Sequence, residues 1–179
     1  MPLLNSQRYK EIFIFPVINY YKTLGFDFQE ESFEDLSVEF INGYQLFSDL
    51  IKLTDGVVEV LEMFKKSGIK QVIVSAMRHD MLLQQVKENG LLKYFDAIHG
   101  IEHIYADSKV HITEKFISKN HLDPNRILFI GDTLHDWEVA GAVGVKSVLV
   151  ASGHQSLRKL KTTSATICNN LPDVLSIVK

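Results

Sequence analysis

The sequence has little cysteine, no long hydrophobic run and no excess of basic residues. A single cysteine, Cys168, among 179 residues excludes an intrachain disulfide and a cysteine-rich metal cluster. This usage is typical of a reducing compartment, so we expect a cytoplasmic protein. No segment reaches the roughly 18 uninterrupted apolar residues of a membrane span. Residues 1–13 lack the basic-then-apolar pattern of a signal peptide, so we expect no membrane partner.

The charge balance argues against nucleic acid as a partner. Lysine and arginine number 19 and aspartate and glutamate 22, which gives a net charge of −3. Binding to phosphate backbones or anionic lipid needs a basic surface, and none is indicated here. With 46% hydrophobic and 23% charged residues, the chain has the composition of an ordinary globular protein. Its length fits one domain with at most a small accessory domain.

Two regions differ in their hydrophobic pattern. Residues 1–52 are rich in aromatic and acidic residues at helical spacing, which predicts a small all-helical unit in which Pro16 breaks or starts a helix. A second helix is predicted over residues 32–47. Residues 53–179 alternate between helical segments and short β-branched runs, which predicts an α/β domain with a parallel sheet. In such sheets, ligands bind at the carboxyl ends of the strands.

Three polar features lie at or between predicted strand ends. Ser75 ends the predicted strand over residues 71–75, and Ala76 follows it. A hydroxyl and free amides at this position can bind a phosphate oxygen, although Ser75 is also suited to capping the next helix. Asp132 and Asp136 follow a second strand, where two carboxylates four apart can converge on Mg²⁺ or cap a helix. Lys109 begins a predicted helix, either as an ordinary surface lysine or as a cation that neutralises a bound phosphate.

In order and spacing, these features resemble motifs two, three and four of the haloacid dehalogenase superfamily. Neighbouring segments resemble that family as well, most closely its phosphoglycolate-phosphatase-like members: residues 54–70, 140–145, 153–154 and 165–175. The resemblance implies an α/β fold with a Rossmann-like parallel sheet over residues 53–179. It also implies that residues 1–52 are a partial helical cap.

The resemblance further implies a reaction and a role for each candidate residue. The reaction is Mg²⁺-dependent hydrolysis of a small phosphorylated metabolite, such as phosphoglycolate, through an aspartyl-phosphate. Ser75 and the Ala76 amide would bind the phosphoryl group, and Lys109 would stabilise its charge. Asp132 would ligate Mg²⁺. Asp136 would be either a further ligand or a residue that supports the ligands without binding the metal itself.

The first motif of that family, a strand ending in Asp-x-Asp, is absent from the sequence. Because its first aspartate is the nucleophile, we expect the chain by itself to be inactive. In the family this strand lies between the strands of motifs two and four, so three arrangements are expected. The chain is a truncated piece of a longer product, its sheet closes up, or another chain supplies a strand. Exposed strand edges would favour self-association.

Two alternatives come from other functional classes. One is a non-catalytic protein that keeps this fold for binding or assembly, which the absent nucleophile favours and the retained Ser75, Lys109 and Asp132 oppose. The other is a zinc peptidase, because residues 99–103 spell the motif H-x-x-E-H. That motif requires both histidines on one helix, whereas Gly100 and the preceding predicted strand disfavour a helix at this position.

Overall fold

The computed structural model describes residues 5–30, 32–47, 50–101 and 108–178. Its α-helices are α1 (Ser6–Ile12), α2 (Val17–Thr23), α3 (Phe33–Leu46), α4 (Val57–Lys66), α5 (His79–Glu88), α6 (Lys109–Lys119), α7 (Leu134–Ala142) and α8 (Leu157–Leu160). Its strands are β1 (Val72–Arg78), β2 (Ala97–Ile101), β3 (Leu128–Gly131), β4 (Lys146–Val150) and β5 (Thr166–Cys168). Short 3-10 segments lie at Leu92–Tyr94, Pro124–Arg126 and Pro172–Ser176. No helix within the described ranges is long and apolar enough to cross a membrane.

The strands form two parallel sheets, which confirms the predicted α/β class. β1 pairs with β2, and β3, β4 and β5 pair in that order. Leu128 lies opposite Lys146, and Val148 lies opposite Thr166. β4 has Val148, Leu149 and Val150 buried in succession. A run that is buried on both faces is typical of a parallel strand covered by helices.

Helices α4 and α6 connect the two sheets. Val60 and Phe64 of α4 pack in the cluster that contains Val148 and the buried Cys168, while Leu61 of the same helix packs with Leu82 and other residues beside β1 and β2. α6 contacts β1, β2 and α7, and α7 contacts β3 and β4. The two sheets therefore share the helices that cover them.

β1 and β3 each have a strand partner on one side. Within the described residues, β1 pairs with β2, β3 pairs with β4, and β1 and β3 do not pair with each other. The expectation that the sheet closes up by direct pairing of the strands at Val72 and Leu128 is therefore wrong. Residues of both strands are only partly buried. One edge of each strand thus remains open.

The region before residue 47 is helical, in agreement with the sequence pattern. Pro16 is the N-cap of α2, so it starts a helix, and Gly25 follows the end of α2 with a φ of +93°. The predicted helix over residues 32–47 corresponds to α3. The division into a cap over residues 1–52 and a core over residues 53–179 stays a prediction.

Candidate active site

The loop between β3 and α7 contains the two candidate carboxylates. Thr133 is the N-cap of α7, and its side chain accepts a hydrogen bond from the Asp136 amide in a reciprocal capping box. The helix-capping role that the sequence suggested for Asp132 and Asp136 is therefore filled by Thr133 together with Asp136. At Gly131, a Cβ atom would lie 2.3 Å from Cβ of Asp136, so the strand must end in a residue without a side chain.

Asp136 is engaged at both of its carboxylate oxygens. Oδ2 accepts hydrogen bonds from the amides of Asp132 and Thr133, both at 3.0 Å, and from the Thr133 hydroxyl at 2.7 Å. Oδ1 lies 2.5 Å from Nζ of Lys109. Four donors therefore surround a carboxylate in a residue that is only 3% exposed. Of the two roles expected for Asp136, this arrangement favours the one in which it positions neighbouring groups by hydrogen bonds and does not itself bind the metal.

The charge of Lys109 keeps Asp136 ionised. Burial raises the pKa of Asp136, but the Lys109 ammonium and the hydrogen bonds from Lys109, Thr133 and the Asp132 amide outweigh it, so the pKa lies below its usual value. Lys109 begins α6, as the sequence predicted, and Ser108 caps that helix. Its ammonium also lies 5.5 Å from the centre of the Phe129 ring. The lysine is thus held between α6, α7 and β3.

Asp132 is fixed by the loop that follows β4. Its Oδ2 accepts a hydrogen bond from the His154 amide at 2.6 Å. A Cβ atom at Gly153 would lie 2.0 Å from this oxygen, so the loop can approach only because residue 153 is a glycine. Oδ1 of Asp132 accepts no hydrogen bond from the residues that the structure describes. Asp132 therefore presents one carboxylate oxygen in a defined orientation.

Ser75 and Ala76 lie toward the carboxyl end of β1. The strand continues to Arg78, past the predicted end at Ser75, and its pairing register with β2 shifts between Val74 and Arg78. The Ser75 hydroxyl oxygen accepts a hydrogen bond from the Met77 amide at 3.1 Å, and Ala76 is exposed. The irregular register turns the stretch from Ser75 to Met77 out of the regular ladder.

Gly100 of β2 makes this turn after Ser75 compact. A Cβ atom at Gly100 would lie 2.5 Å from the Met77 carbonyl oxygen and 2.6 Å from Cα of His79. In the sequence pattern, Gly100 is notable only as a residue unfavourable to a helix. Its neighbour His99 lies in β2 and not in a helix, which contradicts the geometry of the zinc-peptidase motif. Glu102 and His103 of that motif lie outside the described residues.

An aromatic cluster beside Asp132 was not predicted. The Tyr9 hydroxyl lies 2.6 Å from Nδ1 of His154, and the Phe13 ring centre lies 5.2 Å from that of His154. Phe15 stacks on His135 at 4.9 Å. Burial raises the pKa of Tyr9, with smaller contributions from Tyr20 and Asp132. The density of aromatic residues between positions 9 and 21 was the available signal, but helical spacing alone did not say what they contact.

Gln155 attaches this aromatic segment to the candidate site. The side chain is 1% exposed. Its Oε1 accepts from the Leu134 amide at 2.7 Å, and its Nε2 donates to the Phe13 carbonyl at 2.9 Å. The Lys159 ammonium donates to the same carbonyl at 2.6 Å. The first turn of α7 and the residue after α1 are therefore joined through one buried amide.

The described residues offer few side-chain ligands for Mg²⁺. They contain no cluster of three histidine, cysteine, aspartate or glutamate side chains able to hold a metal. Both oxygens of Asp136 are occupied by donors, and Asp132 offers one oxygen. Mg²⁺ takes six oxygen ligands in octahedral geometry, of which protein carboxylates commonly supply one or two. Asp132 alone fits as one such ligand, and the rest of a site would come from elsewhere.

Comparisons with known proteins match this arrangement to one family. Residues 2–150 match the family model described as haloacid dehalogenase-like hydrolase. Phosphoglycolate phosphatase 1 of Pseudomonas aeruginosa is 25% identical over 148 residues, covering 82% of this chain and 54% of the relative. Pyrophosphatase PpaX of Bacillus pumilus is 27% identical over 154 residues, covering 80% of this chain and 70% of the relative. The chain thus spans about half the length of the first relative.

A solved structure shows the same fold. The structure of protein tyrosine kinase A from Mycobacterium tuberculosis superposes with a TM-score of 0.80 and 20% identity, covering 98% of this chain and 82% of that chain. At this identity the likeness concerns the fold alone. The family model, by contrast, covers most of the sequence. The chain therefore belongs to the haloacid dehalogenase-like hydrolase family.

Proposed function

We propose that this chain carries the phosphate-binding part of a phosphate monoester hydrolase that acts on small phosphorylated metabolites. The observation that carries the proposal is the buried Lys109–Asp136 pair directly behind Asp132. Burying a carboxylate and an ammonium costs desolvation free energy, which their attraction offsets only when further hydrogen bonds satisfy the charged groups. Here the Asp136 carboxylate accepts hydrogen bonds from four donors, Lys109 among them, and the pair adjoins Asp132, a carboxylate with one oxygen that accepts no hydrogen bond from the described residues. This arrangement supports a site for an anion and a cation.

Each candidate residue has a role that its contacts support. The Ser75 oxygen accepts from Met77, so its own proton is available to donate to a phosphoryl oxygen, beside the Ala76 amide. Lys109, held by Asp136, supplies positive charge to the same group. Asp132 supplies a carboxylate oxygen to Mg²⁺. Magnesium would neutralise charge on the phosphoryl group, and its other protein ligands would come from outside the described residues.

The nucleophile is not among these side chains. We propose that it is supplied by a strand that ends in Asp-x-Asp and fits between β1 and β3, where each strand has an open edge. The first carboxylate would attack phosphorus, and the bond from phosphorus to the leaving alcohol oxygen would break. Water would then cleave the aspartyl-phosphate. By itself, the chain is inactive in this proposal. The single cysteine supports a cytoplasmic location.

A reconstitution experiment tests the proposal. Hydrolysis of para-nitrophenyl phosphate and of phosphoglycolate would be measured with Mg²⁺ for three proteins. These are the chain alone, the chain with an added upstream strand ending in Asp-x-Asp, and the latter with its first added aspartate changed to asparagine. We expect turnover only from the second protein, and loss of that turnover in its Lys109→Met variant.

Two results would overturn the proposal. Turnover by the chain alone would refute the claim that the nucleophile is missing. A folded protein with the added strand that binds phosphate but never hydrolyses an ester would support the alternative, a non-catalytic protein that uses this fold for binding. Circular dichroism of the second protein distinguishes a failed fold from a failed reaction.

A further inference from the structure

A histidine lies on each of the two segments next to Asp132. His135 follows Asp132 by three residues, in the first turn of α7. His154 belongs to the loop after β4, and its backbone amide donates to Oδ2 of Asp132 at 2.6 Å. Neither imidazole has a part in the phosphate-binding roles proposed above. Their arrangement beside the candidate ligand therefore needs an explanation of its own.

Both imidazoles pack on phenylalanines of the segment after α1. The ring centre of His154 lies 5.2 Å from that of Phe13, and the ring centre of His135 lies 4.9 Å from that of Phe15, each pair with an angle of 30° between the ring planes. Phe13 and Phe15 meet edge to face at 5.3 Å. Aromatic rings attract each other at centre distances of roughly 4.5–7 Å. These four rings form one continuous surface, here called the aromatic wall.

The His154 ring is held in place although the residue is exposed. Its Nδ1 lies 2.6 Å from the Tyr9 hydroxyl, its backbone amide is bound to Asp132, and its ring packs on the buried Phe13. Fixing a surface side chain costs conformational entropy, which these contacts offset within the free protein. A ligand that stacks on this ring does not have to order it first, and such preorganisation increases affinity.

One side of the His154 ring is available to a ligand. Phe13 packs on one face of the ring, and Tyr9 occupies the edge at Nδ1. The exposed surface of His154 is therefore the opposite face with the remaining edge. Along the rest of the aromatic wall, Phe15 and His135 are half-buried. The wall thus presents its most accessible ring at the residue that contacts Asp132.

The chemistry of the aromatic wall complements that of the candidate phosphate site. Ser75, Lys109 and Asp132 supply a hydroxyl, an ammonium and a carboxylate, which suit a phosphoryl group and its metal. Rings suit a planar group by stacking. We infer that the aromatic wall binds the organic part of the substrate through His154, and that the substrate is a phosphate monoester of an aromatic group. This inference rests on the proposed function, which places the phosphoryl group beside Asp132.

Two phosphonates that cannot be hydrolysed at phosphorus separate ring binding from phosphate binding. Isothermal titration calorimetry with Mg²⁺ would measure the dissociation constants of phenylphosphonate and methylphosphonate for the 179-residue chain. The proteins are the native chain, His154→Ala, His154→Phe as the matched control that keeps a ring, and Ser75→Ala. We expect the native chain to bind phenylphosphonate about tenfold more tightly than methylphosphonate.

The ratio of the two dissociation constants is the readout for each variant. We expect His154→Ala to remove most of the preference for phenylphosphonate and His154→Phe to retain it. Ser75→Ala should weaken the binding of both phosphonates by the same factor, because it acts on the group that they share. A folding defect that weakens both ligands alike leaves the ratio unchanged, so the comparison does not depend on equal stability of the variants.

The outcomes distinguish the inference from the proposed function. If the native chain binds both phosphonates equally and Ser75→Ala weakens both, the aromatic wall does not bind the organic group, while the phosphate site stands. A preference that survives in His154→Ala, or that is lost equally in His154→Phe, would also overturn the inference. Failure of the native chain to bind either phosphonate would refute the proposed phosphate site, and the inference with it.

Discussion

The Lys109 ammonium lies 2.5 Å from Oδ1 of Asp136, and these residues are 27 positions apart in the sequence. This contact joins the first residue of α6 to the first turn of α7, and both side chains are largely buried. The same ammonium lies 5.5 Å from the ring centre of Phe129 in β3, and the Asp136 carboxylate also accepts a hydrogen bond from the amide of the candidate ligand Asp132. The candidate site is thus part of the packing between two helices.

Replacing Asp136 should therefore destabilise the fold. In Asp136→Asn, Lys109 stays largely buried without its charge partner, so we expect a loss of about 3 kcal/mol in the free energy of unfolding. Urea denaturation followed by circular dichroism measures it. Asp80→Asn is the control, because Asp80 pairs with Arg78 on the exposed surface and its loss should leave the urea midpoint within error. Equal midpoints for the native chain and Asp136→Asn would contradict the role of the pair.

The glycine beside Asp132 should be equally sensitive. In Gly153→Ala, the new Cβ atom would lie 2.0 Å from Oδ2 of Asp132, so the loop must move, at an expected cost of about 1–3 kcal/mol. Gly141→Ala is the matched control, since its Cβ atom would meet nothing within 4 Å and alanine favours the helix there. Thermal unfolding should show a lower midpoint for the first variant and an equal or higher midpoint for the second.

Gln155 should control how firmly the N-terminal segment is held. Gln155→Leu leaves the Leu134 amide without its partner and removes one of the two donors to the Phe13 carbonyl. We expect a loss of about 1–3 kcal/mol. Hydrogen exchange should accelerate in α1 and the residues up to Phe15 more than in β4. Unchanged exchange in α1 would mean that Lys159 and the aromatic contacts suffice to hold the segment.

Stability should fall in mild acid because of His99. Burial lowers the pKa of His99, with smaller contributions from His79 and Lys119, and its Nε2 is buried without a hydrogen-bond partner among the described residues. The neutral form is therefore favoured in the fold. Neutral His99 contributes fully to the free energy of unfolding above pH 6.5, the pKa of an unperturbed histidine in the unfolded chain. This contribution is lost as the pH falls from that value toward the lower pKa of His99 in the folded protein.

Denaturation midpoints at several pH values check this expectation. Between pH 8 and pH 5, the native chain and the control His111→Gln should lose stability more steeply than His99→Phe does, because His111 is exposed. The slope with pH is the readout, so a constant offset in His99→Phe does not affect the comparison. Parallel slopes for all three proteins would show that His99 does not couple to folding.

Local sequence patterns predicted most of the regular elements. The sequence predicts a helix over residues 57–66 and a strand over residues 146–150, and α4 and β4 have these bounds. α4 has clear helical periodicity, and β4 ends in the apolar run Val148–Val150 shortly after Gly144. At the other extreme, β1 runs three residues past its predicted end at Ser75. The polar Ser75 suggested an end, whereas pairing with β2 across an irregular register carries the strand to Arg78.

The contacts that complete the candidate site were not predictable in this way. Tyr9 and His154 lie 145 positions apart, and Gln155 reaches Phe13 across 142 positions. Hydrophobic periodicity reports which face of an element is buried but not which distant element covers it. Lys109 and Asp136 were both identified as candidates, yet only the packing of α6 on α7 decides that they form a pair.

In the proposed function, Ser75, Lys109 and Asp132 surround one phosphoryl group. A crystal structure of the protein in the presence of tungstate, whose metal scatters anomalously and whose oxygens mimic phosphate, tests this most directly. We predict one strong anomalous peak with its oxygens within hydrogen-bonding distance of the Ser75 hydroxyl and the Lys109 ammonium, next to Asp132. A crystal with these side chains on different rims of the sheet, or with tungstate bound only elsewhere, would contradict the claim.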